Sequence, residues 1–140
     1  MVITPLNDTF LDLDVLAEVD RDARQVLGPS LYCDMVVEQN DRRMLSAREP
    51  IHWIVMRNRV THVDSYSKRE IIGLLKQLSG RLGFQLVPGF GERVVFHELF
   101  LSGLTLLDLP DEPVRDRNYT SHLRACDEFR ELLLEIGALV

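Results

Sequence analysis

The residues able to do chemistry in this 140-residue chain are few, and their spacing excludes most familiar mechanisms. There are only two lysines, Lys68 and Lys76, and neither follows a glycine-rich loop, so the sequence holds no P-loop of the kind that cradles nucleotide phosphates. His52, His62 and His122 have no carboxylate or second histidine at ligand spacing and read as structural, leaving no metal site. Cys33 and Cys126 lie in unrelated contexts without a CxxC and read as reduced thiols. No Ser/His/Asp or Cys/His arrangement has motif support. What remains is three polar or Pro/Gly-bearing segments, Pro5–Asp8, Arg57–Arg59 and Pro88–Gly91, each following directly on an apolar run.

Those apolar runs are the elements that must position them. Met1–Thr4 reads as a short buried strand stopped by Pro5. Ile51–Met56, IHWIVM, is nearly continuous in apolar residues, the pattern of a strand buried on both faces of a parallel sheet. Phe84–Val87 is a third short strand, stopped by Pro88-Gly89. Between the second and third, Ser65 or Ser67 opens an amphipathic helix with Ile71, Ile72, Leu74, Leu75, Leu78 and Leu82 as its apolar side, and Gly83 ends it. Strand, helix and strand at crossover spacing imply an α/β sheet, mostly parallel and flanked by helices. In such sheets ligands bind at the carboxyl ends of the strands, and the three polar segments are those ends. Strand exits are also loops, and loops are ordinarily polar.

Elsewhere the pattern is helical. Asn7 or Asp8 is placed to cap a helix from Thr9 with Phe10, Leu13, Leu16 and Ala17 on one face. Ser30 is placed to cap a helix carrying Leu31, Met35 and Val36, although Asn40-Asp41 and the Val36-Val37 pair are also compatible with a hairpin. After a short element at Glu92–Phe100, Leu104–Leu109 reads as a strand or extended segment. Residues 111–118, with Pro113, form the one linker-like stretch. Thr120 or Ser121 then starts a last helix with Leu123, Cys126, Phe129, Leu133 and Ile136 inward. The chain reads as one domain over residues 1–140, without repeats.

Composition narrows the partners. The formal net charge is −6, from 16 basic and 22 acidic residues. This weighs against non-specific DNA binding, which draws its affinity from neutralised phosphates. No apolar run reaches the roughly 20 residues of a membrane-spanning helix. Asp8, Asp12 and Asp14 interrupt any signal-peptide pattern, so a cytoplasmic location off the membrane is expected.

Three segments carry a resemblance: PGFGERVVFHELFLSGLTLLDL at Pro88–Leu109, VITPLNDTFLDLDVL at Val2–Leu16 and WIVMRNR at Trp53–Arg59. Together they resemble the C-terminal half of a MipZ-type division-plane positioning ATPase, in the ParA/MinD group of deviant P-loop ATPases. The resemblance implies a partial P-loop NTPase-like, Rossmann-like fold. Domains of this group place the P-loop strand and the Mg²⁺-binding strand before the segment matching VITPLND. The chain is therefore expected to lack the P-loop portion, and to be inactive in ATP hydrolysis alone. ATP and Mg²⁺ are the cofactors of the full-length family, and this chain is expected to hold neither tightly. Family partners are a ParB-like protein and FtsZ, and the family dimerises around ATP. A homo-oligomer, or pairing with a missing N-terminal half, is the expected assembly. The alternative is a stand-alone, non-enzymatic interaction module of the division machinery.

The resemblance also assigns residues. Asn58 matches an asparagine that hydrogen-bonds the adenine edge, a task suited to an amide that both donates and accepts. Arg59 lies beside it, and the segment matching Val87, Pro88 and Gly89 forms the other wall through backbone groups. The phosphate-gripping residues match nothing here, so a remaining site would hold only the nucleoside end. Asp8 and Asp12 fall near the family's switch region and dimer interface. Arg93 and Glu98 flank an apolar stretch before ELF and are further switch or dimer-interface candidates, and they are also placed to pair with each other. His97 stands where relatives carry arginine or tyrosine and receives no catalytic role. Lys68, Arg69, Lys76 and Arg81 fall on the family's DNA-contacting helix, where Tyr66 and Glu70 replace basic residues.

Overall fold

The computed structural model describes residues 1–63, 65–108 and 119–138. The linker expected over 111–118 lies outside the described residues. Strands β1 (Val2–Asn7), β4 (Trp53–Asn58) and β5 (Gln85–Val87) form a parallel sheet in the order β1-β4-β5. The helices are α1 (Phe10–Leu13), α2 (Leu31–Leu45), α3 (Tyr66–Leu82), α4 (Val94–Leu101) and α5 (Tyr119–Glu135). A separate antiparallel pair, β2 (Ala17–Asp20) and β3 (Gln25–Pro29), stands between α1 and α2. The protein is an α/β fold, as its strand–helix–strand pattern implies.

Strand β4 runs through the middle because both of its faces are apolar. Trp53 and Val55 enter one core with Leu6, Cys33, Ile71, Leu75, Leu78 and Phe84, drawn from β1, α2, α3 and the entry to β5. Ile54 turns to the opposite face, where Val87 and Leu132 of α5 bury it. Trp53 is fixed by more than area. Its ring meets Tyr32 and Phe84 edge-on, at 6.4 and 5.4 Å between centroids, and its Nε1–H donates to Thr4 Oγ1 at 3.1 Å. Cys33 is fully buried in the same core, and burial raises its thiol pKa, which keeps it protonated and inert.

Several boundaries depart from expectation. Strand β1 does not stop at Pro5. Val2 N–H donates to His52 O, the residue just before β4, so by alternation Ile3, Pro5 and Asn7 turn their backbone groups outward. A proline there has no ladder bond to lose, because β1 is an edge strand among the described residues. The outward edge is also partly closed. Asn7 N–H donates to Asp12 Oδ2 at 2.7 Å, and Asn7 O accepts from Thr9 N at 2.8 Å. Between Val2 and Asn7 that leaves Ile3 N–H as the one free outward donor among the described residues, a weaker invitation to strand pairing than a bare edge.

The helix expected through Ala17 ends at Leu13, and its cap is Thr9 rather than Asn7 or Asp8. Leu16 and Ala17 are fully buried, but as the entry to a hairpin. The Asp20 carboxylate seeds the turn by accepting from Asp22 N and Ala23 N, both at 2.9 Å, a local bond that competes with helix. Ser30 does cap α2, accepting from Cys33 N at 3.1 Å, which settles that segment as helix. Ser65 caps α3, and Gly83, at φ 76°, ends it.

Leu104–Leu109 joins no sheet among the described residues. Residues Leu106–Asp108 form a 3₁₀ turn instead, tied by Thr105 N and Oγ1 to Asp108 Oδ2 at 2.7 and 2.8 Å. The inward face of α5 holds at Phe129, which stacks on Phe90, and just past the helix at Ile136, which packs on Ile54 and Val87, but its deepest residues differ from the expected ones. Ala125 and Leu132 are its buried residues, whereas Leu123 is 45% exposed.

Candidate functional site

A parallel sheet brings all its strand exits to one edge, and the register is direct: Asn7 lies opposite Asn58, and Met56 opposite Val87. Beyond the strands the two central exits continue as a stitched pair. Phe90 N donates to Arg57 O, Val60 N to Phe90 O and Glu92 N to Val60 O, each at 3.0 Å. The pair closes only because residue 89 is glycine. Its φ is 71°, and a Cβ there would fall 1.8 Å from Arg57 O.

This stitching walls a first hollow of about 310 Å³, lined by Asn58, Arg59, Phe90, Gly91, Glu92, Arg93, Phe96 and His97. Phe90 supplies its apolar floor, meeting Phe96 edge-on at 5.5 Å and stacking on Phe129 of α5 at 6.4 Å. Arg93 is committed elsewhere. Its Nε donates to Glu128 Oε2 at 3.1 Å, its Nη2 donates to Glu128 Oε1, and Gly91 N reaches the same carboxylate at 3.2 Å. That hydrogen-bonded pairing raises the guanidinium pKa and ties α5 to the loop. No hydrogen bond engages the Asn58 side chain among the described residues, so its amide offers one donor edge and one acceptor.

A second hollow of about 330 Å³ adjoins the first and shares Arg59 and Glu92 with it. Its other lining residues are Asn7, Asp8, Thr9, Thr61, Ser65, Ser67 and Lys68. Asp8 and Arg57 form a bidentate pair across the β1 and β4 exits, with side chains only 9% and 13% exposed. Thr9 and Asp12 cap α1 much as in a capping box. Asp12 N donates to Thr9 Oγ1 at 3.1 Å, while the Asp12 carboxylate takes Asn7 N–H.

A sequence model of the family described as ATPase MipZ matches residues 1–139. The chain belongs to the MipZ ATPase family. No curated protein matches it. The three-stranded parallel sheet flanked by helices suits a Rossmann-like member of that family, and no helix among the described residues is long and apolar enough to cross a membrane.

The residues singled out in the sequence are distributed unevenly over this MipZ-family fold. Asn58, Arg59 and Arg93 come together in the first hollow. Val87 is fully buried between Ile54 and Leu132, and Pro88 borders a separate hollow with Glu131, Leu134 and Glu135. Gly89 packs behind the first hollow against β4. Asp8 lines the second hollow, and Asp12 braces the β1 exit from outside it. The Arg93–Glu98 pair does not form. Arg93 reaches Glu128 instead, and Glu98 is exposed on α4, because one turn of helix turns the two side chains to different surroundings. On α3, Lys68 lines the second hollow and donates to Thr61 O at 2.6 Å, whereas Arg69, Lys76 and Arg81 are exposed. Glu70 and Tyr66 are occupied by Arg24 of the β2–β3 turn, through an ion pair and a cation–π contact at 5.3 Å.

Phe90, Glu92, Phe96 and Glu128 were not singled out as site residues by sequence reasoning. The aromatic residues at 90 and 96, in the loop and on α4, were the available signal. Glu128 lies 35 residues from Arg93 and had none. Among the described residues no group of three His, Cys, Asp or Glu side chains is placed to hold a metal ion.

Proposed function

We propose that these residues form the adenine-side and partner-facing part of a MipZ-type ATPase that acts in the cytoplasm in division-site positioning or chromosome partitioning. The observation that supports this most is the unengaged Asn58 amide at the rim of a hollow floored by Phe90 and Phe96. An aromatic floor with one bifunctional amide suits a purine base, stacked on one face and read along one edge. Asp8, Asp12 and Arg93 serve this reading by holding the three exits in place. Exposed Glu98 stays available to a partner, whether a second copy, a ParB-like protein or FtsZ.

The 140 residues contain no glycine-rich loop bearing lysine, the part that supplies most charge stabilisation in phosphoryl transfer. The chain alone is therefore expected to show no ATP turnover above the protein-free background. Turnover that disappears in Asn58→Ala would overturn this. Adenosine itself is expected to bind no better than roughly millimolar Kd. One or two hydrogen bonds worth about 1 kcal/mol each stand against an association cost of at least about 4 kcal/mol. Loss of that binding in Asn58→Ala, read by chemical-shift titration, checks the base site directly.

A second reading, a non-enzymatic interaction module, draws on exposed apolar side chains on α1, β3 and α2: Leu11, Leu27, Leu31 and Met35. Partner binding with no adenosine effect at Asn58 would favour it. Duplex DNA is expected to bind weakly at physiological salt in either case, given the net charge of −6 and the engagement of Tyr66 and Glu70 by Arg24.

A further inference from the structure

The first hollow has walls of two kinds. Asn58 and Arg59 stand at the end of β4, whereas Phe90, Gly91, Arg93 and Phe96 all rest on α5. The Glu128 carboxylate accepts from Gly91 N and from Nε and Nη2 of Arg93, which fixes the rim. The floor leans on the same helix. Phe129 stacks on Phe90, Leu132 belongs to the cluster that Phe90 packs against, and Ala125 belongs to the one that Phe96 packs against.

Ala125, Glu128, Phe129 and Leu132 follow the i, i+3, i+4, i+7 spacing of one helical stripe. A single face of α5 therefore carries both rim and floor. We infer that α5 is a clamp on the first hollow with Glu128 as its positioning residue, so that docking of α5 and occupancy of the hollow are coupled. For its ligand the inference rests on the adenine-side reading.

The Glu128 contact is the strongest polar hold on the loop. Arg93 and Glu128 have side chains only 8% and 23% exposed, so without the carboxylate a nearly buried guanidinium is left unpaired. That charge must turn toward water, and the loop that carries it follows. Gly91 gives the carboxylate its room, because a Cβ there would fall 3.2 Å from Glu128 Oε1. The apolar hold is lighter. Helices α3 and α5 both have 17 residues, but α3 buries Ile71, Leu75 and Leu78, and α5 among the described residues buries only Ala125 and Leu132. Whenever α5 is undocked the hollow loses its backing. A ligand that binds only the docked form must hold α5 in place by the same factor.

Adenosine titration and amide hydrogen exchange on the full chain test this. Most helical stability in a folded protein comes from packing, so an undocked α5 keeps little protection. In the unmodified protein, near-saturating adenosine should slow exchange at Phe129 and Leu132 about fivefold and leave Leu75 and Leu78 of α3 unchanged. Glu128→Ala should weaken adenosine at least about fivefold and speed exchange at Gly91, Phe129 and Leu132, while Val55 of β4 keeps its protection. Glu128→Gln retains one acceptor and should fall between. Leu75→Val loosens the core on the other face of the sheet and also lowers the melting temperature. It should leave adenosine affinity unchanged, which separates positioning from plain stability.

Unchanged adenosine affinity in folded Glu128→Ala, or an equal loss in Leu75→Val, overturns the clamp. So does α5 exchange that adenosine leaves unaltered in the unmodified protein, a result that needs no variant to fold. Binding that is lost in Asn58→Ala but kept in Glu128→Ala leaves the base reading standing and the clamp fallen. If adenosine does not bind the unmodified protein at all, the base reading falls and the coupling falls with it.

Discussion

The β4–β5 exit and the β1–β4 exit sit side by side on one sheet edge, but different forces hold them. The first is backbone against backbone: three loop hydrogen bonds, a glycine pressed on Arg57 O, and aromatic rings behind. The second is held by side chains: the Asp8–Arg57 pair, the Thr9–Asp12 cap, and Lys68 reaching to Thr61. Backbone packing tolerates no substitution and gives a fixed wall. Side-chain pairing degrades in steps and leaves groups that exchange partners. A fixed hollow next to an adjustable polar one follows from that difference.

The comparison is broken most severely at Gly89. Gly89→Ala puts a Cβ into Arg57 O and forces a left-handed φ on a non-glycine residue, so a loss of at least about 3 kcal/mol is expected in denaturant unfolding. A loss under about 1 kcal/mol would mean that the exit is loose and the fixed-wall description wrong. Next in size is Asp8→Ala, which strands the mostly buried Arg57 guanidinium and should cost about 2–3 kcal/mol. Adding Arg57→Met should recover part of that loss, because the penalty is an unpaired charge rather than a missing attraction. Full additivity of the two substitutions would refute the coupling. Smallest is Arg59→Ala. Its pair with Glu92 is about half exposed, so a stability change within about 0.5 kcal/mol is expected even though the residue borders both hollows. A larger loss would show the second exit to be as rigid as the first.

How much was readable follows the range of the interactions. Local signals held. Ser30 and Ser65 cap helices through their own hydroxyls, and Gly83 ends α3 in the left-handed region. The part Trp53–Met56 of the apolar run IHWIVM lies in the doubly buried β4, which starts two residues later than the run and extends to Asn58. Signals that depend on a competing local bond misled. The apolar spacing of Phe10, Leu13, Leu16 and Ala17 fits a helix, but the Asp20 turn redirects the last two into a hairpin. Pro5 reads as a stop, and only the outward direction of its missing N–H shows why the strand passes through it.

By itself the sequence determined the element types, the α/β class, the family and the three exits that share an edge, because periodicity, caps and motifs act within a few residues of chain. Only the tertiary structure decided which side chains meet there. Arg93 finds Glu128 rather than Glu98, Asp8 finds Arg57 across 49 residues, and Val87 is drawn wholly into the core while Lys68 turns to the second hollow. Ion pairs form where packing brings charges together out of water, and packing is a property of the whole chain.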